Sequence, residues 1–395
     1  MDSARRSSAH RRDSAIPKPF QPTVRLLIVQ PTPFCNINCS YCYLSSRSSR
    51  ATIDDRTLEN LFAKLFASGW VRRRLDLAWH AGEPTVLPVA FYQHAFAIME
   101  RHRPGNLDVC HSFQTNATLL TKAWCGFFRD AAIRVGVSVD GPKHINDLSR
   151  VSRSGQSTFP RVLAGIRLLR EERVPFHVIT VLTGESMRSA RALHDFYAAE
   201  GIEHVGFNVD ESEGEHVSGL EPGPASWRAY KDFLAEFWSI AAREGLVKSI
   251  REIDYMVRAV YQQPVRRIDA APRRGNMLVE PFAVLNVDHR GNIATFSPEL
   301  LGQVNADYND YIIGNVNTDA FAALPHSGVL AKMSADIEAG VEMCRARCGY
   351  FHVCGGGEPV NKMAENGTFV SDVTSYCRMT RMGVADLVTT GPNAG

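Results

Sequence analysis

Six times between residues 24 and 210, a short apolar run is followed by a segment whose apolar residues recur at helical spacing. The runs are VRLLIVQ (24–30), LDLAW (75–79), VCHSFQT (109–115), VGVSVD (135–140), FHVITVL (176–182) and HVGFNVD (204–210). Strand-like runs separated by helical patterns imply parallel strands joined by crossover helices. In TIDDRTLENLFAKLFASG, Leu58, Leu61, Phe62 and Leu65 fall on one helical face, with Thr52 or Asp54 placed to cap it. Pro88 suits the first turn of the next helix. TKAWCGFFRDA and the segments 158–171 and 186–199 supply three more helices. Six units of this kind predict an α/β fold, an open partial (β/α)6 barrel whose reactive groups belong at the C-terminal ends of the strands.

The alternation then stops. GEHVSGLEPGPAS reads as loop, and 226–244 as a helix with Tyr230, Phe233, Phe237 and Ala241 in one stripe. A second helix covers about 249–262. FAVLNVDHRGNIATF predicts a hairpin turning at Asp288–Gly291, and a helix near 326–339 precedes the last cysteines. The expected organisation is a basic, disordered tail (1–23), a barrel (24–225), a helical bridge (226–275), a second domain (276–385) and a short tail (386–395). The N-terminus, MDSARRSSAHRRDSAIPK, has no apolar segment and is not a secretory signal. Its composition fits a disordered tail better than a transit peptide. With 395 residues, 45% hydrophobic and 22% charged, the chain has the balance of a soluble globular enzyme of about two domains. A formal net charge of +2 and the lack of a long apolar run argue against nucleic-acid and membrane partners.

Nine cysteines fall as Cys35, Cys39 and Cys42, then Cys110 and Cys125, then Cys344, Cys348, Cys354 and Cys377. An odd count with tight spacing fits metal or cluster ligation in a reducing, cytoplasmic compartment better than a disulfide framework. There, the Asn116 and Asn366 glycosylation patterns carry no weight. Three thiolates can hold three irons of a 4Fe–4S cube and leave the fourth iron open, as catalytic zinc keeps an open position. The competing reading is a zinc knuckle with a distant fourth ligand. The last four cysteines could fully ligate one more cluster or one zinc, and their spacing does not choose. Cys110 and Cys125 read as small packing residues.

The C-x3-C-x2-C loop after the first strand, with Tyr41 before its last cysteine, resembles the radical SAM superfamily signature. The resemblance implies that S-adenosylmethionine chelates the open iron, and that reduction of the cluster releases a 5′-deoxyadenosyl radical. It also implies an electron donor such as flavodoxin or ferredoxin. Ala81-Gly82-Glu83-Pro84 resembles the family's G-G-E-P loop with Ala for its first Gly, which assigns Glu83 to the methionine amino group. SVDGPKHINDLSR resembles an S-x-D-G-P…R segment and implies that Ser138 and Arg150 contact the cofactor's carboxylate or ribose. Gln114-Thr115-Asn116 resembles a Q-T-N segment near the cofactor. The C-terminal cysteines resemble a truncated SPASM auxiliary-cluster domain. LNVDHRGNIATFSPELLG has no cysteine, and GGGEP follows Cys354 where another is expected. That implies one auxiliary 4Fe–4S cluster, on Cys344, Cys348, Cys354 and Cys377.

Taken together, WHAGEP, LNVDHRGN, TFSPELLG and CGYFHVCGGGEPVNKMAENGTF are similar to Grr-type radical SAM/SPASM peptide maturases over about residues 25–380. Members join an aromatic ring carbon to a Cβ in a ribosomally made precursor peptide, forming a cyclophane. Such a bond removes two hydrogens and needs an electron acceptor and a base. Asp288, Glu299, Asp210 and Glu365 are the candidate bases by position, and His80 reads as cofactor-lining. Gly355–Gly357 read as tight backbone beside the auxiliary cluster. Thioether formation and sulfatase-type formylglycine maturation are the alternatives within this chemistry. A non-catalytic zinc-stabilised binding module is the alternative outside it. With a barrel starting near residue 24 and few residues after Cys377, peptide docking is expected on the barrel, on the 211–275 bridge or on a separate protein.

Overall fold

The computed structural model describes residues 21–262 and 276–392. The N-terminal tail up to residue 20, the basic end of the bridge at 263–275 and the last three residues lie outside it. Six parallel strands follow the predicted runs: β1 (Leu26–Val29), β2 (Arg74–Trp79), β3 (Asp108–Thr115), β4 (Arg134–Ser138), β5 (Phe176–Leu182) and β6 (His204–Val209). Each is followed by a helix, giving the α/β partial barrel that the alternation predicts. The helix Asp55–Ala67 shows why the crossovers hold. Asp54 caps it by accepting the Thr57 N–H at 2.8 Å. Leu58, Leu61, Phe62 and Leu65 are fully buried against the sheet, each contributing about 1.5–3 kcal/mol of apolar burial.

The sheet does not stop at six strands. The short β7 (Ser249–Ile250) adds parallel to β6. On the other side, β8 (Val284–Val287) pairs parallel with β1, in the register Leu26 to Val284. The hairpin partner β9 (Asn292–Thr295) and β10 (Gly314–Asn315) continue antiparallel, so one ten-stranded sheet runs β10-β9-β8-β1-β2-β3-β4-β5-β6-β7. The predicted hairpin is there, but it extends the barrel sheet across the expected boundary at 276. The reason is non-local: the fully buried Val284, Leu285 and Val287 cover an edge of β1 that the local pattern leaves unpaired.

Other boundaries also move. Pro88 is the N-cap of Val89–His102 rather than a first-turn residue. The bridge helix starts at Pro224, before the expected 226. The predicted 326–339 helix runs from Gly328 to Arg347 and carries Cys344 in its last turn. The tail expected from residue 386 begins inside the helix Val384–Thr390, where Leu387 and Val388 are buried. Beyond the sheet, the C-terminal part is helical, with Phe351–Cys354, Pro359–Asn366 and Ser375–Cys377 gathered around the last four cysteines.

Candidate active site

One cavity of about 260 Å³ opens at the C-terminal ends of the barrel strands. Its wall includes Cys35, Cys39 and Cys42 from the loop after β1, and Ala81, Gly82 and Glu83 from the loop after β2. Tyr41, Gln114, Ser138 and Arg150 join them, as do His80, Asp210 and Glu299. The structure thus brings together every cofactor position predicted from the barrel sequence. Asp288 and Glu365 stand elsewhere. Asp288 holds its own turn, accepting the N–H groups of Arg290 at 2.8 Å and Asn292 at 2.9 Å. Glu365 accepts the N–H of Tyr376 at 3.0 Å and that of Ser375, tying down the loop before Cys377. Both carboxylates are engaged by backbone N–H groups and are not part of the cavity lining.

The loop after β2 is shaped by close approach. A Cβ on Gly82 would stand 2.5 Å from the Thr32 carbonyl and 2.6 Å from that of Phe34, so only glycine lets the two loops touch. Ala81 is held at φ 70°, where an L-residue is strained. Glu83 is buried, and Oε1 accepts from the Thr85 N–H (2.9 Å), the Thr85 hydroxyl (2.5 Å) and the Thr115 hydroxyl (2.6 Å). Oε2 accepts the Asn116 N–H at 2.7 Å and keeps acceptor capacity. Burial pushes the Glu83 carboxyl up, and these donors oppose it.

Also on the cavity wall, Gln114 donates to the Ser138 hydroxyl at 2.8 Å. Arg150 is 6% exposed and pairs with Asp140 at 3.0 Å, while the Tyr41 hydroxyl donates to the same carboxylate at 2.5 Å. Asp140 is a member the sequence reading quoted but did not assign. It takes part of the Arg150 fork, whose Nη1 lies 3.9 Å from the Cys39 sulfur. The Asn116 amide approaches the Cys35 sulfur at 3.8 Å. Burial pushes the Cys35 thiol up to about 12 and the Cys39 thiol up to about 11. A free thiolate is thus disfavoured here, while metal coordination deprotonates a thiol outright. Burial likewise holds His80 down to about 4, so its ring is neutral.

Part of the wall is acidic, and most of it carries no sequence signal. Glu211 and Glu213, on the loop after β6, line the cavity with Glu299. Burial is the main cause that pushes all three carboxyls up, Glu299 to about 7. Glu299 is bonded by its own backbone N–H, whereas Asn361 donates to Glu211. Asp210 is engaged by His216 at 2.6 Å and the Gly219 N–H at 3.2 Å, which leaves it less free to act than Glu299. No periodic signal marks residues 211–213; only their place after a predicted strand end could have raised them.

The second cysteine set is more enclosed. Cys344 and Cys377 are buried, Cys348 and Cys354 half-buried. Cys354 and Cys377 are near enough to Cys344 to push its thiol further up, as Cys348 and Cys354 do for Cys377. The Thr374 N–H points at the Cys377 sulfur at 3.3 Å. Cys125 is fully buried and Cys110 half-buried, with its thiol 3.7 Å from Asp108. Among the described residues, the one group of three His, Cys, Asp or Glu donors within 4.8 Å of one another is His194, Asp195 and Glu244. Arg191 already spans both of its carboxylates at 2.7 and 2.6 Å.

Residues 29–197 match the Radical SAM superfamily. A protein of Synechocystis sp., itself uncharacterized, is 35% identical over 373 residues, 93% of this chain and 92% of its own length. The chain belongs to the radical SAM superfamily. This radical SAM enzyme is also 27% identical over 284 residues to the serine-type anaerobic sulfatase-maturating enzyme of Klebsiella aerogenes, covering 69% of this chain and 70% of that one. Among solved structures, anSMEcpe with bound AdoMet and the Cp18Cys peptide has the same fold, at a TM-score of 0.73, 21% identity and coverage of 93% and 99%. SuiB of Streptococcus suis bound to the precursor peptide SuiA aligns at a TM-score of 0.60 and 14% identity, covering 90% of this chain and 76% of that one. Among the described residues, no helix is long and apolar enough to cross a membrane.

Proposed function

We propose that this radical SAM enzyme oxidises a side chain within a peptide substrate, removing one hydrogen atom, one proton and one electron. The observation that carries the reading is the shared cavity, whose lining includes three cysteines and Glu299. Cys35, Cys39 and Cys42 would hold a 4Fe–4S cluster with S-adenosylmethionine, which when bound supplies a 5′-deoxyadenosyl radical; Cys344, Cys348, Cys354 and Cys377 would hold an auxiliary cluster able to accept an electron. As placed, the cysteine sulfurs are not gathered closely enough for a single zinc ion. A tetrahedral zinc with Zn–S near 2.3 Å needs sulfurs roughly 3.8 Å apart, and no three cysteines among the described residues lie within 4.8 Å of one another.

The protein's own task is to place the peptide and manage its proton. Glu299, pushed up to about 7 by burial and Glu358, is matched to taking a proton near neutral pH. Arg150 and Ser138 would orient the cofactor, and Glu83, through the spare capacity of Oε2, would receive its amino group.

Two products fit this oxidation. Sulfatase-type conversion of a serine or cysteine to formylglycine is the better supported, because curated relatives with that activity span most of the chain. The cyclophane crosslink is favoured by one feature, the β8–β9 hairpin and the following Phe296-Ser297-Pro298, which bear no cysteine. The deciding experiment is anaerobic. The reconstituted enzyme receives S-adenosylmethionine, a reductant and either a serine-containing sulfatase-type peptide or a precursor peptide encoded beside it. Both products of a serine or aromatic substrate weigh two hydrogens less. An aldehyde-reactive hydrazide then labels formylglycine and leaves a crosslink untouched. Deoxyadenosine formed with every peptide unchanged would overturn the peptide reading.

A further inference from the structure

Lys362 is 3% exposed, and its position is built with care. It lies on the helix Pro359–Asn366, and its Nζ donates to the Gly340 carbonyl at 3.1 Å and the Cys344 sulfur at 3.4 Å. Gly340 makes the space. A Cβ there would stand 3.2 Å from the Lys362 Nζ, tighter than an ordinary contact. On Gly340, a Cβ would also meet the Phe369 carbonyl at 2.1 Å, so the long helix can approach this loop only at a glycine.

A buried amine in this position needs an explanation. A lysine is a cation at neutral pH in water, and burying one without an opposite charge is costly. Among the described residues, no carboxylate is bonded to this nitrogen; its partners are one carbonyl and one cysteine sulfur. Both partners are the kind a cation meets beside a thiolate-ligated centre. A 4Fe–4S cube on four thiolates is a net anion and would supply the missing charge. Charge and hydrogen bonds at the sulfurs are what set such a cluster's potential.

We propose that Lys362 is the residue that raises the reduction potential of the auxiliary cluster, making it a better acceptor for the electron leaving the peptide. The proposal rests on the reading of Cys344, Cys348, Cys354 and Cys377 as cluster ligands. A positive charge against the cluster favours its more reduced, more negative state. Lys362 is thus a positioning and tuning residue and touches no substrate.

The test uses the full chain with Cys35, Cys39 and Cys42 replaced by alanine, so that one cluster gives the signal. After anaerobic reconstitution, iron is counted and an electron-paramagnetic-resonance redox titration gives the midpoint. Lys362→Met is expected to make reduction at least tenfold less favourable, about 59 mV lower for one electron, with iron unchanged. Lys362→Arg, which keeps the charge, is expected to stay near the parent. Lys362→Gln is the second neutral variant should Lys362→Met lose iron. Equal midpoints in the parent and a neutral variant at full iron content would overturn the proposal, since a purely structural lysine would not move the potential. A parent that binds no iron would overturn the auxiliary-cluster reading, and the proposal with it.

Discussion

The two cysteine sets differ in what surrounds their sulfurs. Cys35, Cys39 and Cys42 lie on a loop that leaves a parallel strand and opens onto a cavity also lined by acidic side chains. Cys344, Cys348, Cys354 and Cys377 lie at helix ends, with Lys362 and the Thr374 amide pointing at sulfur. One set has three donors and adjoining space; the other has four donors and enclosing protein. The difference teaches that ligand count and cavity go together here. On the proposed reading, the centre that would admit a cofactor and a peptide is built on loops, and the one that would only exchange electrons is packed into helices.

Breaking one centre at a time is the most severe trial of that contrast. Cys42→Ala is expected to reduce 5′-deoxyadenosine formation to background. Cys354→Ala is expected to leave deoxyadenosine formation standing while abolishing the peptide product. Iron analysis and chromatography of the two reaction mixtures check both, and loss of deoxyadenosine in both variants would break the division of labour. Next in size is Glu299→Gln, expected to slow product formation by roughly 10²–10⁴-fold while deoxyadenosine still forms. With Glu299 as the base its deprotonated form is needed, so the rate should climb as pH rises toward about 7 and level off above it. A flat profile between pH 6 and 8 would remove Glu299 from the role.

Smaller effects sharpen the open side of the comparison. Arg150→Lys keeps the charge but loses the fork shared with Asp140. It is expected to weaken S-adenosylmethionine binding by roughly tenfold with iron content unchanged, measured by equilibrium dialysis. Glu213 is pushed up to about 11 by burial and its acidic neighbours, so the native state keeps a proton that the unfolded chain gives up near 4.5. Stability is therefore lost as pH rises above that value. Glu213→Gln should match the native protein near pH 4 and melt at a higher temperature at pH 8. Ala81→Gly, which relieves the left-handed φ of 70°, should stabilise the fold by about 1 kcal/mol, read from denaturant midpoints.

The legible parts of this molecule are those fixed by short-range pattern. Strands β1–β6 were readable because their apolar runs are bounded by helical periodicity, as in FHVITVL before the helices that follow it. The cysteine loop and Ala81-Gly82-Glu83-Pro84 were readable because spacing and position after a strand are sequence properties. Long-range pairing was not. Nothing in VLNV states that it will pair with LLIV on β1. Glu211 and Glu213 sit in a loop without periodicity, so their place in the same cavity as the cysteines emerges only from the curvature of the sheet. Asp288 and Glu365 looked available because a sequence does not show which carboxylates are spent on backbone N–H groups.

The pairing of β8 with β1 has a consequence for the order of assembly on the ribosome. Leu26 waits for Val284, so about 258 residues must be added before one side of the first strand is covered. At ordinary synthesis rates that is roughly 10–50 s. During that interval an apolar strand with free N–H and C=O groups is exposed to other nascent chains. Birth of this protein thus has a vulnerable window at its very first strand, and conditions that slow translation lengthen it.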